Sequence, residues 1–230
     1  MRVVFRRQSA PAAKVTPLFV TPLIDRMLDI ATPDFLGALR DHVLAMEKGD
    51  RGRNVSNFGG WHSSGDFFEQ KAPVVQRLAT EVLKVAVEMS YQQIRGNFPD
   101  CVADVTFFGG SWANISRNGD YNKPHNHPGP VWSGVFYVSM GERDPEPADN
   151  GWIEFMDPRG SNLHASKVRI DPRPGQILLF PAWLHHYVNP FRGKGERISI
   201  AFNTTAEILP AISSPTGPGT CRPRPVAWSG

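Results

Sequence analysis

The 230-residue sequence contains only two cysteines, Cys101 and Cys221. So few cysteines argue against a disulfide-stabilised scaffold and favour two reduced thiols, with a single disulfide between them as the alternative. The chain also lacks any stretch near the roughly 18 apolar residues that a membrane-spanning helix needs. The first 14 residues carry Arg2, Arg6 and Arg7 but no apolar core, so we expect a flexible basic arm and not a secretory signal. These features predict a cytoplasmic protein with no membrane partner.

A strong charge of either sign is also missing. The formal net charge is only +3 at pH 7, which is too small to predict a nucleic-acid surface. Hydrophobic residues make up 40% and charged residues 20% of the chain, and this balance is typical of a soluble globular protein. We therefore expect the partner to be a small-molecule or peptide substrate. The sequence leaves the oligomeric state open, with a homo-oligomer among the options.

Two helices are predicted ahead of almost all the strands. Thr32 is a typical N-cap and Pro33 suits the first helical position, after which apolar residues recur at helical spacing as far as Gly49. A second amphipathic pattern begins at Pro73 and stops at Gly96. The pattern thus predicts a helical part over about 32–96.

Three other segments have different signatures. Val15–Ile24 alternates apolar residues with Thr and Pro, which predicts an edge strand. Asp50–Asp66 is polar and glycine-rich yet contains Trp61 and His62, so it is interpreted either as a surface loop with a packed aromatic residue or as a lid. The segment 206–230 is rich in Pro, Ser and Gly, and it is expected to be an extended tail.

From residue 102 the hydrophobic period changes to two. Turn-forming Gly and Pro residues separate short alternating runs, which indicates a sandwich or barrel of many short strands. The predicted strands are 102–108, 111–115, 131–139, 152–156, 167–170, 176–180, 186–188 and 196–203. The prediction is a mainly β, α+β fold with a β core over about 102–205.

A pair of histidines precedes one of these strands. His125 and His127 are two residues apart, and residues at that spacing on a strand point to the same face. A third imidazole could come from the adjacent pair His185 and His186, of which only one can face a site on extended backbone. We choose His186, with His185 as the alternative. Arg197 follows on the next predicted strand. The residues suggest a metal site, although a His-x-His pair also occurs by chance on surfaces.

Five blocks of sequence stand out in order: Asn122–Pro128, Ser133–Val138, Phe155–Arg159, Gly175–His186 and Arg197–Asn203. Together they resemble a bacterial and phage family of 2-oxoglutarate/iron(II)-dependent oxygenases. The segment Ser56–Ser63 is similar to the N-terminal part of the same family. The resemblance covers roughly residues 15–205, which we therefore take as a single oxygenase-like domain between the arm 1–14 and the tail.

The resemblance implies a fold, two cofactors and a reaction. The fold would be a double-stranded β-helix, or jelly roll, with two N-terminal buttressing helices. The cofactors would be iron(II) and the co-substrate 2-oxoglutarate. The reaction would be that of a 2-oxoglutarate-dependent dioxygenase, hydroxylating an unidentified substrate and releasing succinate and CO2.

The resemblance also implies residue roles. His125 and His186 match the two histidine ligands of the family, and no catalytic residue is implied beyond the metal ligands. Arg197 and Ser199 match the Arg-x-Ser pair for the distal carboxylate of 2-oxoglutarate, a role that suits the planar guanidinium. Three further residues are weaker candidates for holding the co-substrate: Asn114, Asn122 and Tyr137.

One position departs from the wider superfamily. Non-haem iron(II) oxygenases commonly use two histidines and one carboxylate, but His127 occupies the carboxylate position here. The centre is therefore a three-histidine site, or an acid such as Asp120 arrives from elsewhere, or the chain no longer performs the standard chemistry. A cupin-like or degenerate metal-binding protein of the same architecture is the alternative function. That alternative lacks its expected glutamate, because Pro130 and Val131 stand where it should be.

Overall fold

A computed structural model of the protein describes residues 20–97, 104–159 and 167–209. Within these ranges there are two helices, α1 (Pro33–Gly49) and α2 (Pro73–Asn97), and eleven strands. The strands are β1 (Ile24–Met27), β2 (Asn57–Phe58), β3 (Trp61–His62), β4 (Asp104–Ser116), β5 (Tyr121–His125), β6 (Trp132–Arg143), β7 (Ile153–Met156), β8 (Lys167–Ile170), β9 (Gln176–Pro181), β10 (His186–Val188) and β11 (Gly193–Leu209).

The first helix begins where the sequence predicts. The Thr32 hydroxyl accepts a hydrogen bond from the backbone N–H of Phe35 at 3.3 Å, and Pro33 occupies the first helical position. An oxygen acceptor at this position satisfies a backbone donor that the helix itself leaves free. Phe35, Leu39 and Val43 form the buried stripe of α1. The prediction of a capped, amphipathic helix is confirmed.

The strands form two antiparallel sheets. A six-stranded sheet has the order β1-β9-β6-β11-β4-β3, and a five-stranded sheet has the order β2-β5-β10-β7-β8. Most successive strands cross from one sheet to the other, with β3–β4 and β7–β8 as the exceptions, so residues distant in sequence become neighbours. This arrangement, with two helices covering one face, is the predicted double-stranded β-helix.

The central strands β6 and β11 have two different faces. Phe136, Val138, Ile198 and Ile200 pack with the helices in one buried cluster, whereas Tyr137 packs with residues of the second sheet in another. Because side chains alternate along a strand, the odd-numbered residues from Arg197 to Asn203 face the space between the sheets. The period of two therefore places one apolar row under the helices and one polar row towards the interior.

The predicted strands differ from the observed ones at several boundaries. The strand predicted over Val15–Ile24 is found instead at Ile24–Met27, paired with β9 at the sheet edge; residues 15–19 lie outside the described part of the chain. The two strands predicted over 102–108 and 111–115 are one strand from Asp104 to Ser116, since Gly109 and Gly110 pair with β11 without interruption; residues 102–103 lie outside the described part of the chain. Strand β11 extends to Leu209, into the segment predicted as tail.

The segment Asp50–Asp66 is largely an exposed loop with one packed aromatic residue, Trp61, which is 7% exposed, and it includes two short strands. Its strand β2 pairs with β5 in one sheet, and β3 pairs with β4 in the other. Gly59 and Gly60 join the two strands with φ values of 67° and 65°, which favour glycine. A Cβ at Gly59 would lie 2.0 Å from Oδ1 of Asp120. The segment thus contributes one short strand to each sheet and connects the two sheets next to the histidines.

Three predictions concern parts of the chain that the structure does not describe. The basic arm 1–14, most of the tail 206–230, and both cysteines lie outside the described residues. The division into arm, domain and tail stays a prediction. Neither helix in the described ranges is long and apolar enough to cross a membrane.

Candidate active site

Three histidines converge between the two sheets. Their potential ligand atoms, from His125, His127 and His186, all lie within 4.8 Å of one another. The ring centroids of His125 and His186 are 4.4 Å apart, and that of His127 lies 5.0 Å and 5.3 Å from them. The adjacent His185 is exposed and outside the cluster. This spacing suits three imidazoles that share one metal ion.

The backbone reason for the convergence differs from the one that the sequence suggests. Strand β5 ends at His125, so His127 is not its same-face neighbour on the strand. Instead, the backbone N–H of His127 donates to the carbonyl oxygen of Ala182 at 2.9 Å. That bond ties the residues after β5 to the turn before β10, and it brings His127 towards His186.

Hydrogen bonds fix the tautomer of two of the rings in the form that binds a metal ion. Nδ1 of His125 lies 2.7 Å from the carbonyl oxygen of Lys123, and Nδ1 of His186 lies 2.9 Å from that of Leu184. A carbonyl can only accept, so Nδ1 carries the hydrogen and Nε2 is left with its lone pair. This orientation is the usual one for histidine ligands of metals.

Burial also keeps the three rings neutral. Desolvation lowers the pKa of His127 to about 4 and that of His186 to about 3, and it lowers the pKa of His125 as well. The neighbouring imidazoles add to the shift for His127 and His186, since a second positive charge nearby would be repelled. All three rings are therefore in the unprotonated form that binds metal ions at neutral pH.

Arg197 is a buried cation without a counter-ion. It is only 2% exposed, and its Nε has no hydrogen-bond partner. Its guanidinium lies over the ring of Tyr137, 5.3 Å from the ring centroid. Among the described residues no carboxylate comes within ion-pair distance of it, unlike Arg159 with Asp157 and Arg169 with Glu154. A buried charge is costly unless paired, so this site is prepared for an anion.

The residues predicted to bind the metal and the co-substrate all line one cavity. It has a volume of about 60 Å³, several times what one buried water needs. Its lining includes every residue that the sequence analysis proposed for metal and co-substrate: Asn114, Asn122, His125, His127, Tyr137, His186, Arg197 and Ser199. Two of them present further free polar atoms, since Oδ1 of Asn114 and the hydroxyl of Tyr137 are buried without a hydrogen-bond partner. Metal-binding and anion-binding groups thus share one space.

Other residues near the cavity were not found from the sequence. Trp112 and Ser56 line it, and the Ser56 hydroxyl accepts a hydrogen bond from the Asn122 amide at 3.4 Å. Asn203 lies 3.3 Å from His127. The alternation along β4 places Trp112 on the same face as Asn114, a signal that could have identified it. Ser56 becomes a neighbour only through the β2–β5 pairing, which is invisible in the local sequence.

The acidic residues considered as a third metal ligand do not line the cavity. The Asp120 carboxylate accepts a hydrogen bond from the backbone N–H of Arg117 at 2.7 Å, in a turn. Glu154 bonds to Tyr187 and Asn189. No aspartate or glutamate is among the described residues that line the cavity. The donor set that this part of the chain offers to a metal ion is therefore three imidazoles, a ligand type that suits iron as well as zinc, copper and nickel.

The comparisons with known proteins agree with this geometry. Residues 110–203 match the sequence model of a family described as "Putative 2OG-Fe(II) oxygenase". No curated protein matches the chain. The cofactors in that family's description, iron(II) and 2-oxoglutarate, are those that the sequence motifs predict, and the donors around the cavity fit both.

Several solved structures share the fold at low sequence identity. A prolyl-4-hydroxylase from Pseudomonas putida is 15% identical, with a TM-score of 0.53 over 80% of this chain and 91% of that one. HygX from Streptomyces hygroscopicus, solved with nickel and 2-oxoglutarate, is 15% identical, with a TM-score of 0.50 over 80% and 82%. A prolyl hydroxylase from Trichoplax adhaerens, in complex with a hypoxia inducible factor peptide fragment, is 13% identical, with a TM-score of 0.52 over 80% and 83%. Residues 110–203 therefore match the 2OG-Fe(II) oxygenase family that their motifs resemble, and the chain has the double-stranded β-helix fold of these solved structures.

Proposed function

We propose that this protein is a non-haem iron(II)- and 2-oxoglutarate-dependent oxygenase that hydroxylates a small-molecule or peptide substrate. The observation that carries the proposal is the cavity that holds three neutral imidazoles together with a buried, unpaired arginine. A metal-binding protein without a co-substrate would have no use for such a cation. A dicarboxylate that reaches from the metal to the arginine uses both groups.

Each group in the cavity has a task in this reaction. His125, His127 and His186 would hold the iron(II) through Nε2. Arg197 would pair with the distal carboxylate of 2-oxoglutarate, because its planar fork can donate two parallel hydrogen bonds. When bound, the iron activates O2 with 2-oxoglutarate as the reductant, so that one oxygen atom enters succinate and the other enters the substrate, with release of CO2.

The remaining polar groups would complete the co-substrate pocket. Ser199 lies two residues after Arg197, on the same face of β11. Its hydroxyl would donate to the same carboxylate. The free hydroxyl of Tyr137 is buried, so a bound carboxylate would give it a partner. The side-chain oxygen of Asn114 can only accept, so Asn114 would contact the co-substrate as a donor through its side-chain nitrogen. Burial raises the pKa of Tyr137 to about 12, although the nearby Arg197 charge opposes that shift. The phenol therefore remains a hydrogen-bond donor over the physiological range.

The third histidine favours hydroxylation over halogenation. Superfamily members that transfer halide have a small residue in place of the carboxylate, which leaves room for chloride. His127 fills that position with an imidazole ring next to the other two histidines. The expected product therefore carries a hydroxyl group.

Succinate release tests the proposal. Purified protein is incubated with iron(II), 2-oxoglutarate and O2, and succinate is measured with and without the metal. We expect iron-dependent succinate formation, which is lost in Arg197→Met and retained in Arg169→Ala, because Arg169 pairs with Glu154 outside the cavity. Iron binding without any succinate formation would favour a degenerate metal-binding protein.

A further inference from the structure

The ring of His127 has a different hydrogen-bond partner from the other two histidines. Its Nδ1 lies 3.3 Å from the side-chain nitrogen of Asn203, whereas Nδ1 of His125 and of His186 lies next to a backbone carbonyl oxygen. Asn203 is not among the described residues that line the cavity. Nδ1 of His127 therefore contacts a residue outside the cavity lining, and Nε2 is the ring nitrogen that would be left for a metal ion.

The amide orientation with nitrogen towards His127 conflicts with metal binding. An NH2 group can only donate, so Nδ1 would have to accept and the ring hydrogen would sit on Nε2. A hydrogen on Nε2 blocks the lone pair that a metal needs. The same orientation leaves the side-chain oxygen of Asn203 buried without a hydrogen-bond partner, which costs free energy.

We propose that Asn203 is a positioning residue for His127, with its side-chain oxygen accepting the Nδ1 hydrogen. Turning the amide by 180° exchanges oxygen and nitrogen without changing its shape. The oxygen then gains the His127 N–H as a partner, and Nε2 of His127 becomes free for the metal. All three histidines then have the same arrangement, with Nδ1–H on an oxygen and Nε2 towards the centre.

The position of Asn203 fits this role. It lies on β11 on the same face as Arg197 and Ser199, and its register partners are Gly110 on β4 and Ser133 on β6. The strand that would hold the co-substrate would thus also orient the third ligand. A carboxylate ligand has no tautomers, so only a histidine at position 127 needs such a partner. This inference deepens the proposed function, since it rests on His127 being a metal ligand.

Nuclear magnetic resonance can read the tautomer directly. Long-range 1H–15N spectra of the metal-free protein, labelled at histidine nitrogens, distinguish Nδ1–H from Nε2–H, and His127→Gln assigns the signal. We expect the Nδ1–H form for His127, as for His125 and His186. An Nε2–H form of His127 would overturn the inference.

Two substitutions separate an accepting from a donating Asn203. Asn203→Asp keeps the shape and can only accept, so its cobalt(II) affinity should equal or exceed that of the wild type. Asn203→Leu removes the acceptor and should weaken cobalt(II) binding by about 10–100-fold, as is typical of lost ligand-orienting partners. Thr205→Val, an exposed site on the same strand, is the control and should change nothing.

The measurements distinguish a failure of the role of Asn203 from a failure of the three-histidine centre or of the proposed reaction. If Asn203→Asp weakens cobalt(II) binding as much as Asn203→Leu, Asn203 donates to His127 and the inference is wrong. If His127→Ala leaves cobalt(II) affinity unchanged, the three-histidine centre fails together with the inference. If the tautomer and affinity pattern hold but no succinate is formed with 2-oxoglutarate, the proposed reaction fails and the role of Asn203 stands.

Discussion

His125 and His186 lie directly opposite each other on the antiparallel strands β5 and β10, with their ring centroids 4.4 Å apart. Facing residues on neighbouring strands have Cβ atoms about 5 Å apart, which is close enough for two imidazoles to share one ion. Strand pairing, and not closeness in sequence, thus brings these two histidines together. The register of β5 with β10 is therefore as important for the site as the histidines themselves.

The third histidine should behave as a metal ligand. His127→Ala should weaken iron(II) binding, and His127→Asp should retain iron and lower its iron(III)/iron(II) potential, because a carboxylate adds a negative charge that stabilises the higher oxidation state. Anaerobic iron(II) titration and voltammetry measure both effects. His185→Ala deletes the exposed neighbouring imidazole and serves as the matched control. Unaltered affinity and potential in both His127 variants would show that His127 is not a ligand.

The buried arginine should determine the affinity for 2-oxoglutarate. Arg197→Ala should weaken binding by on the order of 2–4 kcal/mol, because a buried carboxylate loses its charge-assisted partner. Arg197→Lys should rescue binding only in part, since an ammonium cannot form the two-pronged bond. Calorimetry with nickel(II) in the site measures the affinity without turnover. If Arg197→Ala binds 2-oxoglutarate as the wild type does, another base holds the distal carboxylate.

The metal-free protein should lose stability in mild acid. The folded-state pKa values of about 4 for His127 and about 3 for His186 lie below the unfolded value of about 6.5. As the pH falls, the unfolded chain binds protons first, so the free energy of unfolding should decrease from about pH 6.5 down to these folded pKa values. Urea unfolding at several pH values measures the slope.

Two histidine variants test which ring causes the pH dependence of the free energy of unfolding. His127→Gln should flatten the pH dependence of unfolding over that interval, because glutamine does not titrate. His185→Gln, at the exposed neighbouring position, should flatten it less. An equal slope in the wild type and in His127→Gln would contradict the burial argument. Because the folded imidazoles resist protonation, metal binding should also persist somewhat below pH 6.5, the limit expected for free imidazole.

Two glycines should respond to alanine in opposite directions. A Cβ at Gly134 would lie 2.3 Å from the ring of Phe202 and 2.8 Å from the carbonyl oxygen of Leu178. Gly134→Ala should therefore destabilise the protein by about 1–3 kcal/mol through overpacking.

The matched control is Gly37, which is exposed within α1 and has no atom within 4 Å of an added Cβ. Gly37→Ala should stabilise the protein by about 0.5–1 kcal/mol, because alanine is the better helix former. Thermal unfolding measures both variants. A destabilised Gly37→Ala, or a neutral Gly134→Ala, would contradict this account of the packing.

Local patterns predicted much of the fold. The Thr32-Pro33 start of α1 and the strand β8 over Lys167–Ile170 lie where the sequence predicts them, because caps and alternation depend on neighbouring residues only. The joining of 102–108 with 111–115 into β4 was not predictable in this way. Gly109 and Gly110 weaken a strand in isolation, but pairing with β11 holds them extended.

Site residues that belong to the family's sequence motifs could be predicted. Site residues that are placed by tertiary contacts could not. The family resemblance identified His125, His186 and Arg197, which the structure places around one cavity. It did not identify Asn203, whose relation to His127 depends on how β11 passes the end of β5. The convergence of His127 likewise depends on a backbone bond to Ala182 and not on strand periodicity. Such contacts leave no local signal.

An anaerobic titration of the metal-free protein with iron(II), followed by 2-oxoglutarate and monitored by visible absorption, tests whether the metal and the co-substrate share one site. We expect a metal-to-ligand charge-transfer band that appears only with both components and saturates at one equivalent of iron. The band should be absent in His186→Ala and should require far more 2-oxoglutarate in Arg197→Ala. Iron binding and 2-oxoglutarate binding without any such band would contradict the claim that the three histidines and Arg197 form one site.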